Sequence, residues 1–131
     1  MRKALCLLNH KLTKVQLFEL ENTFGISEVV YPNYAIQGAW ADIPTTPTLT
    51  KDNLKPFVEW MLKNAQRDDI VILQGEFGAS FYLIECAFEN DLIPIHSVTK
   101  RIAKEGSHDE TIVRTYVFTH ICFRKYIKYG Y

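Results

Sequence analysis

Long apolar segments are missing from this sequence. No uninterrupted apolar run reaches 18 residues, which excludes a predicted transmembrane helix. The apolar part of residues 1–10 is also too short for a signal peptide. We therefore expect a soluble, cytoplasmic protein. The 131 residues, 47% of them hydrophobic, predict one domain over residues 1–131.

The sequence contains three cysteines, and no two of them are close together along the chain. The three cysteines lie far apart within apolar segments, as reduced core residues do: Cys6, Cys86 and Cys122. A zinc site needs closely spaced ligand pairs, and neither the cysteines nor the four histidines provide one. We expect no metal and no other cofactor.

A net charge of either sign is also missing, because 15 basic residues balance 15 acidic ones. A protein that coats a long nucleic acid needs a strong positive field, so that class is not expected. The charge is nevertheless uneven, since residues 97–131 carry a surplus of +4. This surplus favours a localised anionic ligand, although a solvated basic edge that discourages sheet aggregation explains it equally well.

Glycine is infrequent, and two of the six glycines frame the most informative segment. The apolar run Ile70–Leu73 ends in Gln74-Gly-Glu-Phe-Gly78, and a run with helical spacing follows. A strand that turns directly into a helix presents unpaired amides beside the positive end of the helix dipole, where phosphate binds. Such junctions also serve as plain scaffolding, and this one lacks both the Walker lysine and the full dinucleotide fingerprint.

Strands and helices are predicted to alternate along the chain. Apolar runs predict strands at residues 3–9, 26–31, 70–73 and 92–96. Helices are predicted from a cap at Thr13 to Phe24, with a stripe of Leu17, Leu20 and Phe24, and from a cap at Asp52 or Asn53. Residues 32–50 read as a long connection with one short extended piece at residues 38–42.

The helix after Gly78 is apolar nearly all round. Phe77, Phe81, Ile84 and Phe88 form one stripe, and other apolar side chains cover most of the remaining surface. An outer helix of a small sheet should have a polar face, so this helix is expected to pack against something beyond its own core. A twofold homodimer is the simplest partner.

The C-terminal third changes character. Residues 97–104 and 110–124 are rich in β-formers, and residues 105–109 read as the turn of an antiparallel hairpin. The predicted fold class is α/β: a mostly parallel, Rossmann-like sheet flanked by helices, with a C-terminal antiparallel β-hairpin extension.

Ligands of open parallel sheets bind beyond the carboxyl ends of the strands. Three such ends carry polar residues here, and the mixture suits phosphate together with ribose or base: Asn9 and His10, then Gln74 to Gly78, then His96 and Ser97, followed by Thr99, Lys100 and Arg101.

Each of these side chains also has a structural interpretation. His10 either moves a proton or bridges a turn. Glu76 would repel phosphate, so it is assigned to a ribose hydroxyl, an adenine amine or backbone amides. Lys100 and Arg101 cannot both point inward from a regular strand. Ser80 can serve the first helical turn, and His120 is interpreted as a satisfied sheet residue.

Four blocks together resemble a known family. They are Leu8-Asn-His-Lys-Leu-Thr13, Leu73-Gln-Gly-Glu-Phe-Gly-Ala79, Ser97-Val-Thr-Lys-Arg101 and Val117-Phe-Thr-His-Ile-Cys-Phe-Arg-Lys-Tyr126. In their order and spacing they are similar to the small CRISPR-associated Csx ring nucleases, in particular the Csx family numbered twenty. The likeness spans almost the whole chain, with departures at Ser97-Val98 and Ile121-Cys122.

The resemblance implies a homodimeric, CARF-like protein that binds cyclic tetra-adenylate, cleaves it and switches off type III CRISPR signalling. It assigns binding of the messenger to Gln74, Gly75, Glu76, Phe77, Gly78 and Ser80, with Thr99 and Arg124 as further ligand residues. It assigns catalysis to Asn9, His10, Lys100 and Arg101. Cleavage would need no metal, because a ribose 2′-hydroxyl held in line attacks the adjacent phosphate.

Two alternatives remain at this stage. A sensor or binding module that holds the cyclic nucleotide without cutting it needs the same residues. A structural dimer without a small ligand would use the glycine turn as scaffolding and the basic arm as an edge guard.

Overall fold

A five-stranded sheet with helices on both faces forms the protein, in a computed structural model that describes residues 2–108 and 111–130. The strands are β1 (Arg2–Leu7), β2 (Ile26–Val30), β3 (Ile70–Leu73), β4 (Ile93–His108) and β5 (Thr111–Lys125). Their order is β2-β1-β3-β4-β5, with the first four parallel and β5 antiparallel to β4. The predicted mixed α/β class, with a mostly parallel sheet and a C-terminal hairpin, is confirmed.

Four helices cover the sheet: α1 (Lys14–Phe24), α2 (Tyr34–Trp40), α3 (Lys51–Asn64) and α4 (Phe77–Glu89). Neighbouring side chains of a strand point to opposite faces of the sheet. The side chains of β1 therefore contribute alternately to two hydrophobic cores, one on each face. Leu5 and Leu7 pack with residues of α2, α3 and α4, whereas Ala4 and Cys6 pack with residues of α1. α1 therefore lies on one face of the sheet, and the other helices lie on the opposite face.

The boundaries of α1 follow from its caps. Thr13 accepts from the Gln16 amide while the Gln16 side chain accepts from the Thr13 amide, a complete capping box. Gly25 ends the helix in the left-handed conformation at φ 67°. The predicted bounds are confirmed, but the predicted stripe is wrong at Leu17, which is 39% exposed. Gln16 is buried in its place.

The predicted extended piece at residues 38–42 is wrong, because α2 occupies this part of the long connection. Asn33 caps α2 by accepting from the Ile36 amide, and Trp40 buries the last turn in the core. The predicted cap of α3 is also wrong. Thr50 caps that helix, and Asn53 completes its capping box from inside the first turn.

The predicted hairpin turn at residues 105–109 starts too early. β4 continues through His108, so residues 105–108 belong to the strand, and Asp109 lies outside the described residues. Several described side chains in the outer part of the hairpin are exposed, including Tyr116 and Phe118. Within the described residues, none of the helices has the length and apolar content needed to cross a membrane.

The reactivity of Cys6 tests how tightly β1 is packed. It is 1% exposed, and burial raises the pKa of its thiol from 9.0 to about 12. The thiolate is the reactive form, so its population at pH 8 falls by about a thousandfold. We expect iodoacetamide to leave Cys6 unmodified in the native protein while it modifies all three cysteines in guanidinium. Peptide mass spectrometry reads this out, and native labelling of Cys6 as fast as that of Cys86 would contradict the packing.

Candidate functional site

The direction in which successive strands are added to the sheet reverses between β1 and β3. From β1 the chain first builds β2 on one side, and it later returns to add β3 on the other side. α1, which follows β1, and α4, which follows β3, lie on opposite faces. In open α/β sheets the loops that follow two such strands diverge, and ligands bind in the crevice expected between them.

Gln74 ties the parts of this crevice together. Its backbone amide donates to the Leu7 carbonyl at 3.0 Å, and its carbonyl accepts from Trp40 Nε1 at 2.9 Å. Its side-chain Oε1 accepts from the Ser97 amide at 2.8 Å. One residue thus joins the carboxyl ends of β1 and β3 to β4 at Ser97. Gln74 thereby links the strands that lead into the three predicted site segments.

Glu76 has a partner inside the chain. Its carboxylate accepts from the amides of Gly78 and Ala79, so it caps α4 as its own N-cap residue. Of the three roles foreseen for Glu76, binding to backbone amides is the one observed. The first free amides of α4 therefore already carry a carboxylate, and the glycine turn is not an open phosphate cradle as the sequence suggested.

The loop after β1 presents its polar residues to solvent. Asn9 and His10 are exposed, and His10 Nδ1 donates to the Lys11 carbonyl at 2.9 Å. This contact fits the turn-bridging role foreseen for His10 and leaves its Nε2 atom outside that bond. The backbone here is anchored from α2, because the Gln37 side chain donates to the Leu8 carbonyl at 2.6 Å.

The predicted cations divide between two faces. The pairing of β4 with β5 shifts register between Val98 and Thr99, after which Thr99, Lys100 and Arg101 are all exposed. Lys100 and Arg101 occupy successive strand positions, so they point to opposite faces as expected. Arg101 stacks on Tyr116 at 4.5 Å. Arg124 is exposed and pairs with His96, at a distance of two strand positions from the register shift.

Phe77 and Ser80 line a groove of about 850 Å³ between α4 and the segment after β5. Phe77 is 94% exposed and Phe81 63%, so the apolar outer surface of α4 found in the sequence is uncovered in the monomer. Among the described residues, Ser80 Oγ is the buried side-chain polar atom left without a hydrogen bond. The prediction that its hydroxyl stabilises the first turn of α4 by a hydrogen bond is therefore wrong.

A connected polar cluster is centred on His120, to which the sequence assigned no catalytic role, and includes Ser97 from the predicted crevice. His120 Nδ1 lies 2.5 Å from Ser97 Oγ, and His120 Nε2 lies 2.7 Å from Glu19 Oε1. The second oxygen of Glu19 accepts from the Phe123 amide at 2.8 Å. Interpretation of His120 as a satisfied sheet residue is confirmed, yet its partners form the serine, histidine and carboxylate order used in proton transfer.

Comparison with known proteins is decisive for the family. A family model described as "Uncharacterized protein MJ1673 family" matches residues 2–124. A curated relative, the uncharacterized protein MJ1673 of Methanocaldococcus jannaschii, is 37% identical over 129 residues, which cover 98% of this chain and 100% of the relative. This chain belongs to the MJ1673 family. No solved structure gives a significant match.

Sequence reasoning missed two contributors in this MJ1673-family site. Trp40 lies in the segment interpreted as a loop, and its isolated indole among turn residues was the available signal. Gln16 stands three residues after Thr13, which is the spacing of a capping box and could have placed its side chain at the start of α1. Within the described residues, no three His, Cys, Asp or Glu side chains gather as metal ligands.

Gly75 allows a stability test of the site. A Cβ added there would lie 2.8 Å from Trp40 Nε1 and 2.9 Å from Cε2, and Trp40 is buried and held by Gln74. We expect Gly75→Ala to lower the free energy of unfolding by about 1–3 kcal/mol. Gly38→Ala in α2 is the matched control, since no atom lies within 4 Å of its new Cβ. It should gain about 0.5–1 kcal/mol. Denaturant titration measures both, and equal stability would refute the close approach.

Proposed function

We propose that this member of the MJ1673 family is a metal-independent ring nuclease. It binds cyclic tetra-adenylate and cleaves it, which switches off type III CRISPR signalling. Its sheet is then a Rossmann-like, CARF-like platform, and the ligand lies over the crevice between the ends of β1 and β3. The family description states neither a ligand nor a reaction, so the proposal depends on the resemblance of the four sequence blocks and on the site.

The observation that carries the proposal is the junction at Gln74. A cyclic nucleotide has phosphates, ribose hydroxyls and base edges close together, so its binding site needs amides, hydroxyls and cations within a small area. Gln74 binds Leu7, two residues before Asn9, and Ser97, two residues before Thr99, which supports a site that both segments share. Because Glu76 already occupies the first amides of α4, the phosphate contacts come from these two segments.

The chemistry follows from positioning. A ribose 2′-hydroxyl held in line attacks the neighbouring phosphorus, and the bond to the 5′-oxygen breaks, leaving a 2′,3′-cyclic phosphate. Alignment alone supplies several kcal/mol of the barrier. Lys100 or Arg101 stabilises charge on the phosphoryl oxygens, and His10 donates a proton to the departing 5′-oxygen. A twofold dimer has two such sites and yields linear di-adenylates.

The apolar groove along α4 supports a homodimer. Phe77, Phe81 and Ile127 are 94%, 63% and 93% exposed, which leaves a continuous apolar surface along one side of the molecule. Surfaces of this kind on soluble proteins mark interaction sites. The groove begins at Phe77, directly after the glycine turn. A partner seated there would bring a second copy of the site close to the first, as a ring with repeated units requires.

Cleavage is tested with purified protein, labelled cyclic tetra-adenylate and EDTA, with the products separated by chromatography. The proposal expects linear di-adenylates with 2′,3′-cyclic phosphate ends. Retention of an intact ring would instead identify a sensor. Neither retention nor cleavage would leave a structural dimer. Cleavage that stops in EDTA and returns with a divalent cation would contradict the metal-independent mechanism.

Catalytic roles are tested by His10→Ala and Lys100→Ala. Each should slow cleavage by about 100-fold, the usual effect of losing one proton donor or one charge-stabilising group, with a smaller effect on binding. Lys63→Ala is the control, because Lys63 lies in the last turn of α3, beside the end of the sheet where the Lys3 side chain binds the Asn64 carbonyl. Equal losses of binding and cleavage in the two site variants would contradict the assigned roles.

The dimer surface is tested by Phe81→Glu. We expect wild-type protein to sediment as a dimer and this variant as a monomer, since a charge at the centre of an apolar interface costs several kcal/mol. Phe18→Glu on α1 is the matched control, because Phe18 is 69% exposed but lies away from the groove. It should remain dimeric. Dimerisation of Phe81→Glu combined with loss of it in Phe118→Glu would assign the interface to the hairpin arm instead.

A further inference from the structure

Four side chains of α1, β4 and β5 are linked by one continuous set of hydrogen bonds. Gln16 and Glu19 come from α1, Ser97 from β4 and His120 from β5. Gln16 Nε2 lies 3.4 Å from His120 Nδ1, Ser97 Oγ lies 2.5 Å from the same atom, and Glu19 Oε1 lies 2.7 Å from His120 Nε2. The His120 and Glu19 side chains are 7% and 17% exposed, so bulk water competes little for these bonds.

The direction of each bond can be assigned from its neighbours. Gln16 Oε1 accepts from the Thr13 amide at 3.0 Å, which fixes the orientation of the side-chain amide and leaves its NH₂ group facing His120. A carboxylate only accepts, so His120 Nε2 donates to Glu19. His120 Nδ1 is then the acceptor for both Gln16 and Ser97, and the Ser97 hydroxyl gives its proton toward the imidazole.

We infer that Ser97, His120 and Glu19 form a proton relay that supplies the base for 2′-hydroxyl attack, an inference that rests on the proposed ring cleavage. The 2′-hydroxyl passes its proton to Ser97 Oγ as the Ser97 proton moves to His120 Nδ1. The bond between the 2′-oxygen and phosphorus forms, and the bond to the 5′-oxygen breaks. His10 protonates that oxygen, and solvent exchange then restores both histidines.

The position of Ser97 explains how a buried imidazole reaches the ligand. Its backbone amide is bound to the Gln74 side chain, so it lies next to a predicted ligand residue of the crevice. Ser97 is the catalytic contact of the relay, and His120 and Glu19 are positioning residues that act through it. Glu19 holds the imidazole and stabilises the imidazolium that forms during transfer.

Kinetics of four variants test the relay. Ser97→Ala and His120→Gln should each lower the maximal cleavage rate by about 100-fold while KM stays within about threefold, because only a proton transfer is lost. Ser97→Thr restores a hydroxyl and should recover most of the rate. Ser27→Ala is the matched control, because the Ser27 hydroxyl donates to the Arg2 carbonyl at the opposite end of the sheet. It should cleave like the wild type.

The tautomer of His120 gives a second readout that does not depend on the substrate. Nitrogen-15 NMR of the wild-type protein should show the proton of His120 on Nε2, and Ser97→Ala should shift the Nδ1 resonance. A proton on Nδ1 in the neutral imidazole would overturn the relay whatever the cleavage assay gives, because Ser97 would then be the acceptor.

The remaining outcomes separate the two proposals. Wild-type cleavage that persists unchanged in Ser97→Ala and His120→Gln overturns the relay and leaves the ring nuclease intact. A wild-type protein that does not cleave the ring overturns the proposed function, and the role assigned to the relay falls with it. Loss of rate in Ser97→Ala, recovery in Ser97→Thr and the Nε2-protonated tautomer together support the relay.

Discussion

The hydrogen bonds of Gln74 are the constraint on which the site depends. β3 has only four residues, all buried, and Gln74 is the first polar group after them. Its amide, its carbonyl and its side chain are each bound by a different part of the protein: β1, α2 and β4. A buried polar group without a partner costs about 1–3 kcal/mol. Movement of β1, α2 or β4 away from Gln74 would leave one polar group of Gln74 without its hydrogen bond. The edge of the sheet is therefore rigid where the crevice begins.

The same arrangement explains the glycine that follows. Trp40 must approach closely to reach the Gln74 carbonyl, and a Cβ at residue 75 would collide with the indole. Gly75 is thus required for packing, in addition to any role in a turn. Tyr126 secures the neighbouring position, since its hydroxyl donates to the Leu73 carbonyl at 2.6 Å and burial raises its pKa, which keeps it a donor. Stability and site geometry are coupled through these two aromatic side chains.

Local patterns predicted the strands, the cap and stop of α1, the apolar surface of α4 and the order of the elements. They failed where a distant partner decides the outcome. Residues 38–42 contain Gly38 and lie between Pro32 and Pro44, yet helix α2 ends only at Trp40 because that side chain gains a buried contact with residues of other elements. The sequence left three partners open for Glu76, and the amides of its own helix are the ones observed. The crevice was predicted because strand ends meet by topology, whereas its contacts depend on residues far apart in sequence.

The bulge in the hairpin is what brings His120 to α1. Ser97 pairs with Phe123 and Val98 with Cys122, but Thr99 pairs with His120, so Ile121 is left without an opposite residue. In a regular ladder Thr99 would face Ile121, and an isoleucine would occupy the position next to Ser97 on the α1 face. The extra residue reverses the alternation, which turns His120 inward toward Glu19 and leaves Ile121 56% exposed. Regular alternation of side chains along β5 would place His120 on the wrong face of the sheet. For this reason no pattern in the sequence could link Ser97, His120 and Glu19.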